Sequence, residues 1–170
     1  GPELRTSTIQ SAGINHIAAI NSELIRGLNA RFNQPLIISS ILPFMESTLQ
    51  IIRKAHSTQL FLNFHEDAFE AAYYERGQFI FYNKFEFSTD DEFNYFLLQV
   101  IEQLEIDLLK TSLQVSGRID RDDEHMRRLR KYFNEISFAE VTNLVEVPSS
   151  IASKTSLHPY FSLISLGLCE

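Results

Sequence analysis

A chain of 170 residues is long enough for one full hydrophobic core with a smaller unit attached. Its 22 acidic and 15 basic side chains leave a formal net charge of -7, which gives no general attraction to phosphate backbones or anionic lipid and argues against nucleic acid and membrane surfaces as partners. The single Cys169 excludes an internal disulfide and a thiolate cluster for zinc, which suits a cytoplasmic location, and no apolar run approaches the roughly 20 residues that span a bilayer.

In chain order, residues 1–12 are polar and without period, and are expected to be disordered or tag-derived, since Gly1-Pro2 without Met reads as the scar of a cleaved tag. From Ile14 the apolar positions Ile14, Ile17, Ala18, Leu24, Ile25 and Leu28 recur at three and four, which predicts one helix over 14–31. Gln34-Pro35 should end it. Leu36, Ile37 and Ile38 read as a short buried strand, and Pro43 then opens a second amphipathic helix carrying Phe44, Met45, Leu49, Ile51 and Ile52.

Residues 59–87, QLFLNFHEDAFEAAYYERGQFIFYNKFEF, hold three runs rich in Phe, Tyr, Leu and Ile. They are separated by His65-Glu66-Asp67 and by Arg76-Gly77, which is the pattern of an antiparallel meander. Ser88-Thr89-Asp90-Asp91-Glu92 is a capping box, and Phe93, Phe96, Leu97, Val100, Ile101 and Leu104 continue from it as a helix. A strand through Leu113 and Val115 ends at Gly117. A charged helix is predicted over 122–133, a strand over 136–141 and a loop over 143–155. A short helix over 160–168 is apolar nearly all round and therefore expected to be buried. Three antiparallel strands followed by two right-handed crossovers define an α/β fold, a five-stranded mixed sheet flanked by helices in the ribonuclease-H-like arrangement.

That order resembles the second lobe of the actin, sugar kinase and heat-shock ATPase superfamily. The residues carrying the resemblance are Phe61 to Phe69, Val115-Ser116-Gly117-Arg118 and His158-Pro159-Tyr160 to Leu168. More narrowly, Asn83 with Phe87-Ser88, then Asp91 with Tyr95-Phe96-Leu97-Leu98, are similar to a Bacteroidetes family of uncharacterised proteins, DUF3822, which has an actin-like ATPase fold. The resemblance implies three divisions: residues 1–12, a first-lobe remnant with crossover helices over 13–58, and a second lobe over 59–170. It also implies a fragment, whose helix over 14–31, having lost its sheet, would be covered by a symmetric dimer.

The departures from the superfamily pattern bear on function. Its phosphate loop needs an aspartate, closely spaced glycines and a hydroxyl residue. Here Asn63 stands at the aspartate position, no glycine follows, and Glu66 and Asp67 would repel a phosphate. Under a nucleotide-binding reading, Asn63 and Gly117 are the residues the resemblance implicates.

His65-Glu66-Asp67 is the one compact run of metal-ligand types, but adjacent residues in a tight turn point apart, so no metal site is assigned. Asp90, Asp91 and Glu92 are explained by capping. Arg127, Arg128, Arg130 and Lys131 suit the end of a solvated helix, with contact to an acidic protein as the functional option for Arg127 and Arg128. His125 and His158 stand alone, Cys169 lies next to the terminus, and no catalytic residue or cofactor is assigned. The expectation is a non-catalytic protein acting by protein binding, with Ile17, Leu24 and Leu28 as further contact residues and a homodimer as one form of partner. The alternatives are an ATPase completed by a missing N-terminal lobe, and a structural or assembly component.

Overall fold

In the computed structural model the described residues are 1–142, 144–152 and 156–169. They form strands β1 (Pro2–Ile9) and β2 (Ile14–Asn21), helices α1 (Ser22–Arg31) and α2 (Ile41–Ala55), and the meander β3 (Gln59–Phe64), β4 (Ala68–Glu75) and β5 (Gln78–Glu86). These are followed by α3 (Asp90–Gln103), β6 (Ser112–Gly117), α4 (Glu124–Leu129), β7 (Ile136–Phe138), α5 (Ser149–Ala152) and α6 (Phe161–Ile164), with 3-10 turns at His158–Tyr160 and Ser165–Leu168 on either side of α6.

The main sheet has the order β5-β4-β3-β6-β7. Its first three strands are antiparallel, and β6 and β7 run parallel to β3. This is the mixed sheet expected from the sequence.

Alternation along β3 divides the core in two. Leu60, Leu62 and Phe64 pack with Leu113 and Val115 against Phe93, Leu97 and Val100 of α3 and Met126 and Leu129 of α4. On the opposite face Phe61, Ala72 and Tyr74 meet Phe44, Met45, Leu49 and Ile52 of α2 and Phe161 of α6. Both faces of β3 and β4 are covered, so their sequences are almost continuously apolar. Each large side chain so buried stabilises the fold by roughly 1.5–3 kcal/mol.

The chain's punctuation is local. Thr89 Oγ1 accepts from the Glu92 amide at 3.2 Å while Glu92 Oε2 accepts from the Ser88 amide at 2.7 Å, so the box that starts α3 is formed. The β4–β5 turn has Arg76 and Gly77 both at positive φ, 50° and 82°, which matches a type I′ hairpin. Gly77 relieves the strain at one of those two positions only.

The N-terminal third departs from the sequence reading. Residues 1–12 are not disordered: β1 pairs with β2 along its whole length, Pro2 opposite Asn21 and Ile9 opposite Ile14. The predicted helix over 14–31 splits into β2 and α1. Ile14, His16, Ala18 and Ile20 are half-buried and alternate with exposed Asn15, Ile17, Ala19 and Asn21, a period of two that the three-and-four spacing obscured. Asn21 then caps α1 by accepting from the Glu23 amide at 2.7 Å. The single apolar stripe on which a dimer through 14–31 was to rest is therefore absent.

Leu36, Ile37 and Ile38 form no strand, and Leu36 is 81% exposed. β-Branching favours a strand only where a partner exists. The helix predicted over 122–133 is shortened to α4, and the strand over 136–141 to β7. The loop over 143–155 contains α5, while Asn143 and residues 153–155 lie outside the described residues. The segment over 160–168 buries Phe161 and Ser165 but leaves Tyr160, Leu163 and Leu166 exposed, so it is not buried all round.

Candidate functional site

The carboxyl ends of the parallel strands β3 and β6 are where an open α/β sheet places ligands. At that edge the α2 face of the sheet carries a polar cluster among apolar neighbours. Asn63 and Glu70 are register partners on β3 and β4, Ser116 is opposite Asn63 on β6, and Tyr82 comes from β5.

Glu70, 1% exposed, is the hub. Its Oε2 accepts from Asn63 Nδ2 at 2.8 Å and faces His65 Nε2 at 2.9 Å, and its Oε1 accepts from the Tyr82 hydroxyl at 2.7 Å. A carboxylate accepts only, so His65 Nε2 carries the shared proton. Burial alone would raise the Glu70 carboxyl, but the hydrogen bonds from His65, Asn63 and Tyr82 together hold it below the ordinary carboxylate value. The Tyr82 phenol is pushed up by burial and by the adjoining Glu70 charge.

Asn63 is fully engaged. Its amide donates to Glu70 and, at 3.1 Å, to Ser162 Oγ on α6, and its carbonyl accepts from Ser116 Oγ at 2.9 Å. Gly117, at φ +81°, lies directly against it: a Cβ there would come within 2.1 Å of the Phe64 carbonyl oxygen and 2.8 Å of Asn63 Oδ1. The Arg118 amide donates to the same Phe64 carbonyl at 2.8 Å, and Arg118 Nη1 reaches Glu66 Oε2 at 2.9 Å. The structure thus brings Asn63 and Gly117 together, packed on one another, with the two loops joined by a surface ion pair.

A second feature lies beyond Gly117. An open cavity of about 610 Å³ is lined by Asp120, Arg121, Asp122, Asp123, Phe138, Ser156 and His158. His158 is fixed by Ile119 O at 2.8 Å and Ser156 Oγ at 2.7 Å, and its ring lies 3.9 Å from that of Phe138. The Arg121 guanidinium sits 5.7 Å from the Phe138 centroid.

The remaining candidates are dispersed. Ile17 is 63% and Leu24 55% exposed, and Leu28 is half-buried. Arg127 pairs with Glu124 at 2.9 Å, and Arg128 with Asp91 at 3.0 Å and Glu124 at 3.2 Å. The acids at the start of α3 therefore do more than cap: Asp91 holds α4 through Arg128, and Asp90 approaches His125 at 3.3 Å. Burial and the nearby Glu46 raise the Cys169 thiol.

Among the described residues no three His, Cys, Asp or Glu side chains are grouped to hold a metal ion, and no helix is long and apolar enough to cross a membrane. Sequence reasoning missed Glu70 and Tyr82. The available signal was a lone glutamate at an inward position of β4, Phe69-Glu70-Ala71-Ala72, where an ionised side chain needs partners.

Residues 2–136 match DUF3822, a family described as proteins of unknown function. A 1.85 Å crystal structure from Bacteroides thetaiotaomicron, a protein with actin-like ATPase fold and unknown function, aligns with a TM-score of 0.78 at 20% identity, over 99% of this chain and 60% of that one. The chain thus spans about three-fifths of that protein's length, and the likeness shows the fold. The Vms1 mitochondrial localization core aligns at 13% identity over 90% of this chain and 68% of its own, with a TM-score of 0.39, too low to support an argument. No curated protein matches.

Proposed function

Since the chain belongs to the DUF3822 family and has an actin-like ATPase fold, we propose that it is a non-catalytic member of that fold which acts by binding protein. The observation carrying this reading is the hairpin between β3 and β4. A phosphate is held there by backbone amides that glycines leave open and by an unengaged polar side chain. In this chain the hairpin has no glycine, Glu66 and Asp67 stand at its tip, and Asn63 is bonded to Glu70, Ser116 and Ser162. An anionic ligand would have to break a buried network centred on another anion.

Protein contact is supported by apolar side chains left in water on the N-terminal unit, Leu4, Ile17, Leu24, Phe32 and Leu36. Ile17 and Leu24 are the contact residues we assign. Arg127 and Arg128 would have to give up ion pairs to take part.

A second reading, nucleotide binding without the hairpin, is favoured by the cavity beside Phe138, where a planar base could replace the Arg121 guanidinium. Calorimetric titration with Mg·ATP separates the two. We expect no saturable binding tighter than about 100 μM. A tighter constant that Phe138→Ala removes would replace the first reading with the second.

A further inference from the structure

Strand β5 forms one of the two outer edges of the main sheet. Its backbone directions follow from two bonds. The Phe87 amide donates inward to Asp67 O at 2.9 Å, whereas the Lys84 amide, of opposite parity, bonds the side chain of its own predecessor, Asn83 Oδ1, at 2.9 Å. Tyr82, Lys84 and Glu86 therefore turn their peptide groups away from β4. No strand among the described residues meets them.

The edge is regular only in part. Tyr73 pairs with Phe81 but Tyr74 with Phe79, so Ile80 is bulged and the first half of β5 is bent away from straightforward pairing. Pairing is confined to the run that follows. Within it the α3 side bears an aromatic ladder leading outward from the core: Phe69 to Phe85 at 5.1 Å, Phe85 to Phe96 at 5.3 Å, and Phe96 to Tyr95 at 5.4 Å, where Tyr95 is 62% exposed. The α2 side bears Lys84 and Glu86, both exposed.

A strand that fits this edge needs an acid beside Lys84, a base beside Glu86 and an apolar residue between them. The run Lys84-Phe85-Glu86 supplies all three when it lies antiparallel to itself. We propose that β5 pairs with β5 of a second copy about a two-fold axis at Phe85, joining two main sheets into one.

In that register Lys84 lies opposite Glu86 of the second copy and Glu86 opposite its Lys84. Each of these pairs exchanges both backbone hydrogen bonds once the Lys84 amide exchanges Asn83 Oδ1 for the facing carbonyl, and Phe85 meets Phe85 at the close, non-hydrogen-bonded position. The neighbouring register, centred on Lys84, sets lysine against lysine. Lysine and a bulge are also common guards of an unpaired edge. Here they remove the other registers and leave one that is self-complementary.

The proposal goes beyond the protein-binding reading, since it uses the β5 edge and not Ile17 and Leu24, and it is independent of the nucleotide titration. Sedimentation equilibrium of the chain at low and moderate salt tests it. A reversible dimer is expected, weakened by salt. Lys84→Glu and Glu86→Lys should each weaken it about tenfold or more, and the double swap K84E/E86K should restore it. Leu109→Asp, at an exposed position between α3 and β6, should leave it unchanged. Both swap positions are exposed, so circular dichroism melts should match the parent. A monomer at every concentration, a dimer indifferent to the swaps, or a dimer lost with Leu109→Asp would each overturn the proposal.

Discussion

Glu70 concentrates the energetic risk of the fold in one residue. A buried carboxylate is tolerated only while all its donors are present, and replacing it with Gln keeps the shape but makes one of its contacts a donor facing other donors. Glu70→Gln should cost about 1–3 kcal/mol at neutral pH in urea unfolding. The acid limb should change with it. The folded-state pKa of Glu70 lies below its unfolded value, so its contribution is complete above the unfolded value and is lost as pH falls through the folded one. The Gln variant should show the smaller loss of stability on acidification, and an unchanged acid limb would mean the carboxyl is not ionised in the fold.

Gly117 makes a complementary prediction. It was legible as the end of a strand, but its reason is geometric: the positive φ and the 2.1 Å approach to Phe64 O exclude any side chain. Gly117→Ala should cost about 3 kcal/mol or more by thermal melt, whether or not any ligand exists. The network around Asn63 was not legible, because Ser116 and Ser162 reach Asn63 only after the sheet and α6 have assembled, and neither is a neighbour in sequence.

At the scale of elements, legibility followed the amount of local signal. α3 combines a capping box, acids in the first turn and several turns at one period, and the structure begins it at Asp90 as that box requires. The meander was equally plain, since turn residues separate runs of the right length. The failures occurred where two periods fit the same residues. Ile14, Ile17 and Ala18 satisfy a helix, yet half-buried Ile14, His16, Ala18 and Ile20 make a strand once β1 is there to pair with it. The decisive partner was a polar segment with no periodicity of its own.

That hairpin is held to the rest by Ile9, buried in the α2 core, and by a buried polar side chain of α2. Glu46 accepts from the Ser11 amide at 3.4 Å and from the Ser11 hydroxyl, while Arg53 bonds the Ser11 carbonyl. Glu46→Ala should therefore speed amide exchange across residues 2–21 while protection in β3, β4 and β6 stays unchanged. Equal loss throughout would show that the hairpin is not a separately opening unit.

For the molecule as a whole, the five-stranded sheet and its two cores reproduce an actin-like ATPase fold, and the proposed loss of phosphate binding rests on the hairpin between β3 and β4. Sequence exposed what the hairpin lacks, its glycines and its aspartate. Structure adds what takes their place, a set of hydrogen bonds that leaves Asn63 no N–H to offer an anionic ligand. The most direct test is to follow the backbone amide resonances of residues 64–68 and 117–118 while Mg·ATP is added. The account predicts no saturable shift at these amides tighter than about 100 μM, and concerted, saturable shifts at the hairpin amides below that concentration would contradict it.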